Sequence, residues 1–156
     1  MSHVRHSIHI EAPPDQVWAI GRDPERMPEW NTTVVSVKDA DGPLDAPGGR
    51  FTVVSKIAGR PLDITWQIEE VDAPRFFVAT ATTPLGGSAR QRVDYEPDGT
   101  GTRVTIDMDY EIASGLLGQL LSKAFAERAI ERDVHHSAEN LKAVVEESAR
   151  PLDETG

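Results

Sequence analysis

Hydrophobic and polar residues alternate along seven separate stretches of the chain, which cover 3–10, 32–38, 51–57, 62–69, 76–83, 88–96 and 102–111. Alternation with a period of two puts successive side chains on opposite faces, so each stretch is predicted to be a strand with one apolar face. Turn-forming residues separate the last six strands, as in Pro97-Asp98-Gly99-Thr100-Gly101. We therefore predict an antiparallel meander with its apolar face covered.

Two short helical segments interrupt the pattern between the first and second strands. Pro13-Pro14 suits the first turn of a helix, where a missing N–H costs nothing, and Gly21 is a typical end. A second turn follows, in which Asp23 is placed to cap and Pro24 occupies the first position.

The last long stretch, 114–150, follows a helical period. No proline interrupts it between Ser114 and Ala149, and Pro151 stops it. A helix of about 30 residues would span roughly 45 Å, more than the width of a small domain, so we expect the sheet to wrap around it. Residues 151–156 are predicted to form a disordered tail.

Two apolar stripes run along this predicted helix and lie about a quarter of a circle apart. The first contains Leu117, Leu120, Leu121 and Ala124, and the second contains Ile130, Val134, Ala138, Leu141 and Val145. If the first stripe is continued, it reaches Arg128, Glu131 and His135. Either the helix bends and these polar residues face water, or they face a partly hydrated internal cavity, and the sequence leaves both interpretations open.

Length and composition restrict the class of protein. A chain of 156 residues is ordinarily one domain, and we assign residues 1–150 to it. The net charge of −10 repels phosphate backbones and anionic lipid surfaces, so we expect no nucleic-acid partner. No stretch is apolar over the length of a membrane span, so we expect no membrane insertion. Cysteine is absent and no signal-peptide pattern is present, which favours a cytoplasmic location. The oligomeric state stays open, with a homodimer among the alternatives.

Sequence signatures of common catalytic and cofactor sites are missing. There is no Gly-x-Ser-x-Gly nucleophile motif, no Cys–His pair and no glycine-rich phosphate loop. The closest approach to metal-ligand spacing is Glu131, His135 and Glu139 at i, i+4, with His136 adjacent. Surface helices commonly carry Glu and His at this spacing, so we predict no metal site and no cofactor.

Several landmarks resemble the START/Bet v 1-like superfamily of helix-grip proteins, in particular the polyketide cyclase/dehydrase-type group. They are Ala12-Pro13-Pro14-Asp15-Gln16-Val17-Trp18, then Asp23-Pro24 with Pro28-Glu29-Trp30-Asn31, then Gly99-Thr100-Gly101-Thr102-Arg103-Val104, and the terminal helix. The resemblance covers residues 3–148. It implies an α+β helix-grip fold, in which a curved antiparallel sheet of about seven strands wraps around the long helix. It also implies an apolar or amphipathic small-molecule ligand between sheet and helix.

If the apolar sheet face meets the helix, side chains from both elements point into the space between them. These candidate ligand-binding residues are Trp66, Gln91, Tyr95, Met108, Tyr110, Leu117, Leu121, Arg128 and His135. A mainly apolar pocket with a few convergent polar groups is typical of small-molecule sites. The aromatic residues and Met108 also suit an ordinary core, whereas a buried amide at Gln91 needs hydrogen-bond partners.

Three functions follow from this interpretation. The first is binding of a hydrophobic or aromatic small molecule, lipid- or polyketide-like, which includes lipid transport. The second, implied by the resemblance, is a polyketide cyclase/aromatase that closes a ring by aldol addition and dehydration. For that reaction His135 is the candidate base, and Arg128, Tyr95 or Tyr110 the candidate donor to the enolate oxygen. The third is a protein-interaction module with a residual cavity, so the sequence leaves open whether the protein is an enzyme.

Overall fold

The structure is a computed structural model that describes residues 2–41, 46–57, 60–83, 86–112 and 122–149. The strands are β1 (Ser2–Ile10), β2 (Val34–Asp41), β3 (Arg50–Ile57), β4 (Arg60–Asp72), β5 (Phe76–Thr82), β6 (Ser88–Asp98) and β7 (Gly101–Glu111). The helices are α1 (Pro14–Gly21), α2 (Met27–Trp30) and α3 (Lys123–Ser148), with a 3₁₀ turn at Pro24–Arg26.

The seven strands form one antiparallel sheet in the order β1-β7-β6-β5-β4-β3-β2. Strands β2 to β7 follow one another as the predicted meander, and β1 joins the sheet by pairing with β7. The first two strands, although consecutive in the chain, therefore lie at opposite edges. The sheet is curved, and α3 packs against β1 on its inner side. The predicted α+β helix-grip fold is confirmed.

A β-bulge in β4 changes which residues face inward along that strand. Up to Ile68, the inner face follows the alternation predicted from the sequence. The pairing with β5 then shifts between Ile68 and Glu70, so that Val71 lies opposite Phe77. Both Val71 and Phe77 pack against the core. The extra residue lets β4 reach 13 residues while its apolar side stays directed inward.

One end of the space between sheet and helix is filled by aromatic packing. Trp18 of α1 lies edge-on to Tyr95 of β6 and Phe77 of β5, with ring centroids 5.2 Å and 6.0 Å apart. Leu141 and Val145 of α3 belong to the same buried cluster. Such edge-to-face pairs add to the free energy gained by burying the rings. This end of the domain is closed by side chains.

The segment between α1 and β2 follows its predicted turn chemistry. The Asp23 carboxylate accepts a hydrogen bond from the backbone N–H of Glu25 at 3.0 Å, and Pro24 opens the 3₁₀ turn. Helix α1 ends at Gly21, as predicted. Asn140 of α3 donates to the carbonyl of Trp30 at 3.2 Å, which ties α2 to the long helix.

The start of α3 differs from the prediction of one continuous helix from Ser114. Residues 113–121 lie outside the described part of the chain, and the described helix begins at Lys123. Ser122 has extended backbone angles, φ −161° and ψ 157°, and its hydroxyl accepts from the N–H of Phe125 at 3.1 Å. A residue in this conformation caps a helix and cannot lie inside one. A helix through Ser122 is therefore wrong, and the 26 residues of α3 span about 39 Å.

Candidate ligand cavity

A cavity of about 250 Å³ lies between the inner face of the sheet and α3. Its wall is mainly apolar, and strands β3 to β7 supply most of it. Three alanines of β5 and β6 contribute to its floor, with Ala81 paired opposite Ala89 and Ala79 opposite Gln91. Because an alanine side chain ends at Cβ, these positions leave space for the cavity. Further along β6, the larger side chains of Val93 and Tyr95 fill the corresponding space.

Five of the sequence-predicted site residues line this cavity: Trp66, Gln91, Tyr95, Met108 and Tyr110. They come from β4, β6 and β7, where the period-two alternation directs them inward. Two further predicted residues, Leu117 and Leu121, lie outside the described part of the chain. The pairing of the strands thus brings the sheet-borne candidates to one place.

The geometry differs from the predicted inward placement of Arg128 and His135. Both side chains are exposed on α3, as is Glu131, and none of the three lines the cavity. The inward face of α3 is instead the second apolar stripe, from which Ile130 and Val134 reach the cavity wall. At 100° per residue the continuation of the first stripe turns away from this face. These polar residues therefore face water, which is the first of the two interpretations that the sequence left open.

Gln91 places an amide in the apolar cavity wall. It lies on the inner face of β6, between Ala79 of β5 and Met108 of β7. The side chain is half-buried, and its amide forms no hydrogen bond with any other residue that the structure describes. Because an amide both donates and accepts hydrogen bonds, it offers two types of contact to a molecule in the cavity.

A polar corner, formed by Asn31, Thr32, Thr33, Asp133 and Ser137, lies where α3 meets the segment before β2. The Ser137 hydroxyl accepts from the backbone N–H of Thr32 at 3.0 Å. Asn31 accepts from the N–H and the hydroxyl of Thr33 at 3.1 Å and 3.0 Å. All of these residues except Thr32 line the cavity, so the corner gives it one hydrophilic wall.

Asp133 is the ionisable group of this corner, and sequence reasoning missed it. Its side chain is 26 % exposed. Burial raises the pKa of this carboxyl, while Arg132, His136 and Thr32 act in the opposite direction. Asp133 lies three residues after Ile130 and four before Ser137, on the inward face of α3. This helical spacing from two inward-facing residues was a signal in the sequence that Asp133 also faces inward, although a charged residue is ordinarily expected at the surface.

Tyr110 brings a phenol to the seam between β1, β7 and α3. It is almost fully buried, and burial raises the pKa of its hydroxyl, with the carboxylates of Glu127 and Glu131 acting in the same direction. The Ser2 hydroxyl donates to the Glu127 carboxylate across this seam. Tyr110 therefore stays protonated and neutral around pH 7.

Two further features bear on the kind of site. The described residues contain no group of three or more His, Cys, Asp or Glu side chains placed to share a metal ion, and this includes the His and Glu positions of α3. No helix in the described part of the chain has both the length and the apolar character required to cross a membrane.

Residues 1–146 of this chain match the model of the family described as "Polyketide cyclase / dehydrase and lipid transport". The chain belongs to this family. No curated protein matches it.

Several solved structures share this fold. A protein of Thermus thermophilus, TTHA0849, superimposes with a TM-score of 0.79 at 21% identity and covers 96% of this chain and 100% of its own. The Zhui aromatase/cyclase from a Streptomyces species gives 0.72 at 18% identity, covering 96% of each chain. A START superfamily protein from Mycobacterium smegmatis gives 0.72 at 15% identity, covering 93% of this chain and 97% of its own. At these identities the similarity shows the fold alone.

Proposed function

We propose that this protein binds a hydrophobic or aromatic small molecule, lipid- or polyketide-like, in the cavity between the sheet and α3. The observation that carries the proposal is the mainly apolar cavity of about 250 Å³ with the Gln91 amide in its wall. An apolar space of this kind favours apolar ligands, and an amide without a partner in the described residues would orient a ligand that carries one polar group. Membership of a family whose description includes lipid transport supports the same proposal.

The volume of the cavity suggests the size of the ligand. An apolar cavity of roughly 150 Å³ is enough to hold a benzene molecule. At about 250 Å³, this cavity suits one or two fused aromatic rings or a short acyl chain. Phe51, Ile64 and Trp66 line the space and would contact the apolar part of such a molecule.

A cyclase that closes and dehydrates a polyketide chain is the second candidate. The family description and the similarity to the Zhui aromatase/cyclase support it. Such a reaction needs an acid or base on the cavity wall, and in the described residues Asp133 occupies that position, whereas His135 does not. A protein-interaction module, the third prediction, receives no support from an open cavity of this size.

Native mass spectrometry of the purified protein, followed by a thermal-shift screen of lipids, flavonoids and polyketide-like aromatics, tests the proposal. A ligand present at 100 times its Kd adds about 2.7 kcal/mol to the free energy of unfolding. For a chain of this size that is roughly 5–10 °C in Tm. A co-purified mass or a shift of this order supports binding, and the absence of both across the panel argues against it. Turnover of a polyketide-like hit would favour the cyclase.

A further inference from the structure

Three charged side chains line the cavity among the residues that the structure describes: Arg22, Glu111 and Asp133. Arg22 follows the end of α1, and Glu111 is the exposed last residue of β7. Asp133 differs from both because it lies within α3, on the same face as the lining residues Ile130 and Ser137. Of these three charged residues, Asp133 is therefore the one that belongs to the described helix.

The two basic residues that act on the Asp133 carboxyl, Arg132 and His136, are both exposed, and the Thr32 side chain acts in the same direction. Among the described residues, the one cation within 4 Å of its carboxylate is Arg132, whose Nε lies 3.9 Å away. The Arg132 side chain is 65 % exposed, so water screens this pair. The neighbouring lining groups, Asn31, Thr33 and Ser137, are polar and uncharged. A half-buried carboxylate in this setting accepts hydrogen bonds and repels a second anion.

We propose that Asp133 selects the ligand, and that the cavity takes apolar molecules bearing a hydroxyl, phenol or amine donor in preference to those bearing a carboxylate. The inference rests on the proposed binding function and names its chemical class. A donor on the ligand would replace the water lost by the carboxylate when the cavity is filled, whereas a ligand carboxylate would place a second negative charge beside it. Gln91, on the sheet wall, accepts or donates and would not discriminate between these ligands.

Three probes with one ring system separate charge from shape: naphthalene, 2-naphthol and 2-naphthoate. Isothermal titration calorimetry at pH 7.5 measures the Kd of each for the wild type, Asp133→Asn and Glu131→Gln. Asp133→Asn keeps the size of the side chain and removes its charge. Glu131→Gln removes the same charge from an exposed position two residues away that does not line the cavity. It therefore controls for the net charge of the protein.

We expect the wild type to bind 2-naphthol at least about tenfold more tightly than 2-naphthoate. Asp133→Asn should reduce this ratio towards one, mainly by tighter binding of naphthoate, and Glu131→Gln should leave it unchanged. Equal affinity of the wild type for both probes, or an unchanged ratio in a folded Asp133→Asn, would overturn the role of Asp133 while binding itself stands. If none of the three probes binds to the wild type, the binding function fails as well. The wild-type ratio needs no variant, so equal affinities for the two probes would overturn the proposal even if Asp133→Asn folds poorly.

Discussion

The imidazole rings of His6 and His135 lie 4.4 Å apart, centroid to centroid, and are tilted by 53° to one another. His6 is on the inner side of β1, and His135 is on the flank of α3 that packs against β1. The Nε2 atom of His6 is buried and has no hydrogen-bond partner among the described residues. Burial lowers the pKa of His6, His135 lowers it further, and Glu139 acts in the opposite direction. The seam between sheet and helix thus contains a histidine that folding keeps neutral.

The packing of His6 against His135 predicts that the protein becomes less stable in mildly acidic solution. In the unfolded chain His6 takes up a proton at its ordinary pKa of 6.5, whereas in the folded protein it does so only at lower pH. Unfolding therefore takes up a proton in this interval, and the free energy of unfolding decreases as the pH falls below 6.5. Urea denaturation of wild type and His6→Leu between pH 5 and pH 7.5 checks this. The wild type should lose stability relative to His6→Leu as the pH falls.

His9 supplies the control for this experiment. Hydrogen bonds to Glu11 and Asp98 raise the pKa of His9. Its contribution to the stability of the folded protein is therefore present below pH 6.5 and is lost as the pH rises through the raised pKa. His9→Gln should therefore leave the acid-side loss in place, since that loss belongs to His6. A wild type and a His6→Leu variant with parallel pH profiles would contradict the assignment to His6.

Ser137→Ala should destabilise the protein by about 1–3 kcal/mol, because the part-buried backbone N–H of Thr32 would lose the acceptor that now lies 3.0 Å away. Ser148→Ala is the matched control, since Ser148 is an exposed residue at the end of the same helix. Its expected change is under about 0.5 kcal/mol. Urea midpoints with unchanged slope give both values, and equal effects of the two substitutions would contradict the structural role of Ser137.

Gly101→Ala and Gly99→Ala are expected to destabilise for different reasons. A Cβ at Gly101 would overlap the backbone carbonyl oxygen of Ile10, so the pairing of β1 with β7 would have to shift. We predict a loss of about 2 kcal/mol or more. Gly99 has φ +63° and open space around it, so its alanine variant suffers only the strain of the left-handed conformation, about 1 kcal/mol. Thermal or urea denaturation should rank Gly101→Ala as the more damaging, and the reverse order would refute the clash.

The sheet was predictable from the sequence because period-two alternation encodes it directly. Inner-facing residues such as Met108 and Tyr110 lie on the cavity wall, where the alternation directs them. The bulge between Ile68 and Glu70 was not predictable, because one extra residue in a pairing leaves no mark in the alternation until the partner strand is known. The sequence alone could predict which positions share a face of each strand, but only the pairing shows where a bulge changes the face that points inward.

The helix was harder to interpret, because two apolar stripes competed for the same core. Extending the first stripe put Arg128 and His135 in the cavity, whereas packing used the second stripe and left both exposed. Asp133 lies on the packed face and lines the cavity, although its charge argued for the surface. A polar residue on an apolar face becomes informative only when the face itself is known, which requires the tertiary contacts.

The central claim, that the cavity between sheet and α3 holds a small apolar ligand, is tested most directly by titrating 2-naphthol into three proteins in a calorimeter. Ala89→Leu puts a larger side chain into the cavity floor, and Arg90→Leu adds the same side chain to the exposed face of the same strand, one residue away. We predict that wild type and Arg90→Leu bind with the same Kd and that Ala89→Leu binds at least about tenfold more weakly. Binding that is absent from all three, or that Ala89→Leu leaves unchanged, would contradict the account.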